Sequence, residues 1–169
     1  MIIHKLSVYA LFLATATVAG CTKQKGLGPN YKDYNPPSAP ITVTNAVDYR
    51  PDPTVTTSLS GDSSITITLE LTGSGKTMTQ ITNIIGSTSY AAIQNVNSKW
   101  YNSAPIAATN NSVTFKTSLA EYIKNYPIKA GTNPAPTANV ELSNRFYFSI
   151  MLSDGSTVYP TPVRVLVLQ

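Results

Sequence analysis

Few residues in this chain could do chemistry. Its single cysteine, Cys21, follows Val18, Ala19 and Gly20. The small side chains just before the thiol leave room for an enzyme to act at the bond ahead of it. The single histidine, His4, lies upstream of that bond. A chain cut there keeps no histidine and no second thiol. That excludes a Ser-His-Asp triad, a thiol nucleophile, a disulfide and a Cys/His zinc site.

The carboxylates are Asp33, Asp48, Asp52, Asp62, Glu70, Glu121, Glu141 and Asp154. Glycoside hydrolysis needs two of them about 5 to 9.5 Å apart. Asp62 and Asp154 read as turn residues, Glu121 as a helix cap and Glu70 as the solvated side of a strand. Asp48 and Asp52 have no assigned task. No calcium loop of alternating acids is present. Gly73-Ser74-Gly75-Lys76-Thr77 resembles the end of a phosphate-binding loop, but Glu70 stands where its first glycine belongs. The residues after Lys76 are strand-like, so a Gly-Ser turn with a lysine at its tip is the better reading. The expectation is a non-enzyme with no cofactor and no metal.

Trp100-Tyr101 is the sharpest aromatic signal, with Tyr90 nearby and Asn95, Asn97 and Asn102 around it. Amphipathic rings suit binding surfaces, and asparagines match sugar hydroxyls. Trp100, Tyr101 and Tyr90 are therefore the candidate ligand-binding residues. The competing reading buries Trp100 between two sheets, where large aromatics mostly reside.

The N-terminus is an address. His4 and Lys5 precede an apolar run over residues 6–19, shorter than the roughly 20 residues that span a bilayer. That is the layout of a secretory signal peptide. Val18-Ala19-Gly20-Cys21 resembles the lipobox of bacterial lipoproteins. The resemblance implies that residues 1–20 are removed and that Cys21 carries a diacylglycerol, usually with an acylated amino terminus. More than one acyl chain makes such an anchor stable. Residues 21–40, rich in Pro and Gly, read as a tether, with Tyr31 and Tyr34 within it. By the same resemblance, Thr22 in place of an aspartate after the cysteine argues against retention at the inner membrane and implies the outer membrane. Lys23 and Lys25 leave the periplasmic and the surface face both open.

Charged residues make up only 12% of the chain, about half the usual share. Hydrophobic residues at 42% suffice for one core. The net charge is +4, scattered without a basic stripe, so nucleic acid is not an expected partner.

Residues 41–169 read as one β-domain. Residues 41–44 suggest an edge strand ahead of the breaks at Pro51 and Pro53. Ile65, Ile67, Leu69 and Leu71 alternate with Thr66, Thr68 and Glu70 over a half-buried strand. Residues 78–85 follow as a strand ended by Gly86, and residues 90–96 as another. Val113 and Phe115 mark a short strand. Ser118 and Glu121 form a capping box, so one or two helical turns should end by Tyr126. Phe146, Phe148, Ile150 and Leu152 alternate with Tyr147, Ser149 and Met151 before a two-residue turn at Asp154-Gly155. Val163, Val165 and Val167 line one side of the return, which Pro160 and Pro162 interrupt.

About seven short strands predict an all-β, antiparallel sandwich. The last 30 or so residues resemble the final hairpin of fibronectin type III and related immunoglobulin-like domains, with Tyr147 or Tyr159 as the corner tyrosine. With its lipobox the chain is similar to the small accessory lipoproteins of Bacteroides-type bacteria, some of which belong to glycan-uptake systems. The resemblance implies a lipid-anchored, non-catalytic outer-membrane protein that binds a glycan or an envelope protein complex. The alternative is a structural or adhesin-type subunit docking on a larger membrane partner.

Overall fold

The computed structural model describes residues 40–169, and the expected signal peptide, Cys21 and nearly all of the tether lie outside the described residues. Residues 40–169 form an all-β sandwich of ten strands and two short helices. The strands are β1 (Ile41–Val43), β2 (Thr54–Ser58), β3 (Ser64–Leu71), β4 (Met78–Ser87), β5 (Ile106–Ala107), β6 (Ser112–Ser118), β7 (Val140–Glu141), β8 (Arg145–Leu152), β9 (Thr157–Val158) and β10 (Arg164–Leu168). The helices are α1 (Ala91–Gln94) and α2 (Leu119–Asn125).

One layer has the order β1-β3-β6. The other combines β2-β10-β7 with β5-β4-β8-β9. A bridge between Phe146 and Val163 joins them, so β7 with β8 and β9 with β10 form one long, interrupted hairpin. β1 and β2 are likewise two halves of a first strand that changes layers at Pro51 and Pro53. Counted this way there are seven strand positions. The second pairs with the fifth and the third with the sixth, the order of an immunoglobulin-like sandwich.

The alternation in the sequence becomes burial. Ile65, Ile67 and Leu69 are wholly buried from one layer, facing Ile81, Ile84, Phe146, Phe148 and Ile150 from the other. Each such side chain contributes about 1.5–3 kcal/mol by leaving water. Phe115 bridges the layers, its ring 5.4 Å from that of Phe146 and 6.0 Å from that of Phe148.

Several expectations need correction. Residues 90–96 are not a strand. Three alternating residues cannot by themselves distinguish strand from helix. The Ser89 hydroxyl accepts from Ala91 N at 3.3 Å and starts the turn of α1. Gly86 does not end its strand, because β4 runs on to Ser87. The turn after β8 takes three residues, not two. Gly155 N donates to Leu152 O at 2.9 Å, and only Gly155 has positive φ, at 78°. That is a tight turn followed by a left-handed residue. The strand β2 carried no sequence signal, since its parallel partner β10 lies at the far end of the chain.

The corner tyrosine is neither Tyr147 nor Tyr159. Tyr122 of α2 does that work from the opposite direction. Its hydroxyl accepts from Asn144 N at 3.2 Å, just ahead of β8, and donates to Asn133 Oδ1 at 3.2 Å. Half of the capping box forms. Ser118 Oγ accepts from Glu121 N at 3.2 Å, while the Glu121 carboxylate takes the Thr117 hydroxyl at 3.0 Å.

Gly86 is required for another reason. A Cβ there would lie 2.5 Å from Cε2 of Tyr126, whose hydroxyl accepts from Gly86 N. The ring is packed against the core and cannot swing aside cheaply. Gly86→Ala should therefore destabilise the domain by about 1–3 kcal/mol in urea unfolding. Tyr122→Phe, which strips the buried Asn133 of a partner, should cost a similar ~1–3 kcal/mol.

Candidate functional site

Period-two geometry places two apolar sets on β4 and β8. The inner set belongs to the sandwich core. On the outer face Ile85 lies opposite Tyr147, and both are buried although no second layer covers them. Their cover is local. α1 sets Ile93 on them, and Tyr90, Ala92, Trp100 and Tyr159 pack around the rim. Tyr90 meets Tyr147 edge to face at 6.0 Å and Tyr159 at 6.2 Å. Such pairs each add about 0.5–1.5 kcal/mol beyond their buried area.

Trp100 is therefore not between the layers. It is half-buried on the outside of the sheet, in the same cluster as Tyr90. Tyr101 is separated from both. Residues 100–102 pass beside the edge of β4 with a bend at Tyr101, whose N donates to Ile84 O at 2.7 Å. Asn102 Oδ1 accepts from Ile84 N at 2.7 Å and its Nδ2 donates to Thr82 O at 3.0 Å. Trp100 packs on the outer cluster, while Tyr101 turns to the core and meets Phe115 at 5.6 Å and Phe146 at 5.5 Å. Neighbours in sequence, the two rings belong to different clusters.

Sequence reasoning missed Tyr147 and Tyr159 as members of the outer cluster. The signal was present: Tyr147 alternates out of phase with the core-facing Phe146 and Phe148. It also missed the polar side of the cluster. Arg145 shares the outer face of β8 with Tyr147, and its Nη1 lies 2.8 Å from Asp52 Oδ2. That gives Asp52 a partner. Burial raises the Tyr147 phenol pKa, a shift that Arg145 opposes and Asp52 reinforces.

The other sequence candidates have structural tasks. Asp48 Oδ1 accepts from Tyr49 N at 2.7 Å and Arg50 N at 3.2 Å, and these bonds hold its pKa below the usual carboxylate value. Glu141 pairs with Arg164 at 2.7 Å. Asp62 accepts from Ser64 N at 3.2 Å in a turn. Lys76 leads into β4 rather than a helix, and its Nζ lies 2.7 Å from Asp154 Oδ2. Lys76 and the Ser156 donors hold the Asp154 carboxyl well below its ordinary pKa.

Burial raises the Tyr101 phenol to about 12, even though its hydroxyl bonds Thr117 Oγ1 at 2.6 Å. The unfolded phenol ionises near 10. The contribution of Tyr101 to stability should be intact below pH 10 and lost as pH rises through 12. Absorbance titration should show tyrosines ionising later in the folded protein than in urea, and Tyr101→Phe should flatten the alkaline loss of stability.

No protein-family model and no curated protein matches the chain, so the reading of this site rests on its own residues.

Proposed function

We propose that this chain is a non-catalytic lipoprotein of the bacterial outer membrane, held by lipid on Cys21, whose sandwich binds a glycan or a component of an envelope complex. The lipobox Val18-Ala19-Gly20-Cys21 supports the anchor. The outward aromatic cluster of Tyr90, Trp100 and Tyr159 carries the binding function. A sandwich needs no tryptophan outside its layers for stability, and half-buried amphipathic rings suit a recognition surface.

The placement of the cluster fits a tethered reader. The chain joins the domain at the loop between β3 and β4, where Thr72 N donates to Pro40 O at 3.1 Å. The cluster sits around Ile85, about 20 Å further along β4 at roughly 3.3 Å per residue. A ligand there would meet the domain away from the point where the lipid-bearing segment arrives.

The structural-subunit reading has one observation in its favour. β6 is the outer strand of its layer, and Lys116 is the single charge along it. Outer strands are where another chain can add, and lysines commonly guard them.

Capture from solubilised envelopes tests the proposal. The acylated chain should co-purify with glycan or with a defined envelope complex, and Trp100→Ala should reduce that recovery at least fivefold. Cys21→Ala should leave the protein in the soluble fraction. Recovery unaffected by Trp100→Ala but abolished by a Thr114→Pro change in β6 would favour the structural-subunit reading instead.

A further inference from the structure

We infer that the outer cluster takes a neutral polysaccharide bearing vicinal hydroxyls, stacked on Tyr90 and Trp100 and hydrogen-bonded by the Asp52–Arg145 pair. This rests on the binding role proposed above and specifies its ligand.

Apolar rings alone would suit many partners. The adjacent polar pair narrows the choice. Asp52 is a carboxylate with only 15% of its side chain exposed, held by Arg145, whose side chain is 43% exposed. An ionised carboxylate has about four lone-pair sites and a guanidinium has five donors, so one mutual contact leaves capacity on each. The pair thus presents a fixed acceptor beside a fixed donor. A vicinal diol is the complementary group: one hydroxyl donates to the carboxylate and its neighbour accepts from the guanidinium.

Charge points the same way. Asp52 and Arg145 cancel, so the pair gives no net attraction for an anion. Arg164, nearby on the same layer, is neutralised by Glu141 at 2.7 Å. Its Nη2 is bonded to Arg50 O at 2.6 Å, so it is not poised for a ligand anion. Lys99 beside Trp100 is a single exposed charge. A polymer of acidic sugars needs repeated free cations, and Arg145 is already paired with Asp52.

The site is continuous. Arg145 and Tyr147 are two residues apart on one face of β8, and Tyr147 touches Tyr90. Ser87, opposite Arg145 across the β4–β8 pair, adds a hydroxyl at the same level.

Affinity electrophoresis of the detergent-solubilised full chain tests this, using glucomannan, galactomannan, a mixed-linkage β-glucan, O-methylated glucomannan and polygalacturonate. At least one of the three unmodified neutral polymers should retard the protein. If glucomannan does so, its O-methylated form should bind at least tenfold more weakly. Polygalacturonate should not retard the protein. Trp100→Ala and Tyr90→Ala should each weaken binding at least tenfold, and Asp52→Asn and Arg145→Gln at least fivefold. Thr114→Ala on the other layer should change nothing. Thermal melts establish that each variant is folded. Binding of polygalacturonate that depends on Trp100 would overturn the neutral-ligand inference and leave the aromatic site standing. Failure of all three neutral polymers would also overturn it, while the envelope capture with Trp100→Ala separately decides whether the cluster binds anything.

Discussion

The second of two irregularities in β4 decides which way the residues after Ile81 face. Strict alternation would put Ile81, Asn83 and Ile85 on one side. The pairing with β8 instead shifts between Ile81 and Asn83. An extra residue there turns the rest of the strand over, as a bulge does. Ile84 thereby joins Ile81 in the core, and Ile85 goes outside to meet Tyr147. Without that shift Asn83 would point into the sandwich, where an unpaired amide costs roughly 1–3 kcal/mol. The outer aromatic cluster, the role of α1 and the position of Trp100 all follow from where Ile85 lands.

Much of the fold could be read in the residues because its longest strands alternate cleanly. β3 and β8 each put four apolar side chains on the core-facing side, and both lie within a residue of where the pattern places them. What could not be read is what depends on distant partners. β2 pairs in parallel with β10 from the other end of the domain's sequence, and no turn residue announces such a contact. α1 is four residues long and is held by Ile93 lying on Ile85 and Tyr147. Gly86 resembles a stop because glycine usually punctuates. Its reason is the Tyr126 ring, 40 residues away in sequence.

The site was half legible for the same reason. Trp100 and Tyr90 stand out by residue type, and the structure gathers them. Tyr101 stands out equally, and the backbone bonds to Ile84 turn it inward. Tyr147 was masked by belonging to a strand whose obvious role is structural, and Tyr159 by following β9 just ahead of Pro160. Asp52 and Arg145 are 93 positions apart and meet only because the first strand crosses between layers beside β10.

These placements bear on how such a site could work. The cluster is built on the β4–β8 pair, whose inner face is buried in the core. Rings attached there need little further ordering when a ligand arrives, because Tyr147 is already fixed and Tyr90 is braced against both Tyr147 and Tyr159. Association is otherwise opposed by about 0.5–1.5 kcal/mol for each mobile side chain that must be immobilised. Residues 40–169 contain no cysteine and no histidine, and the stiffness of the cluster comes from packing. The second, smaller cluster outside the sandwich is how this chain extends that packing to its surface.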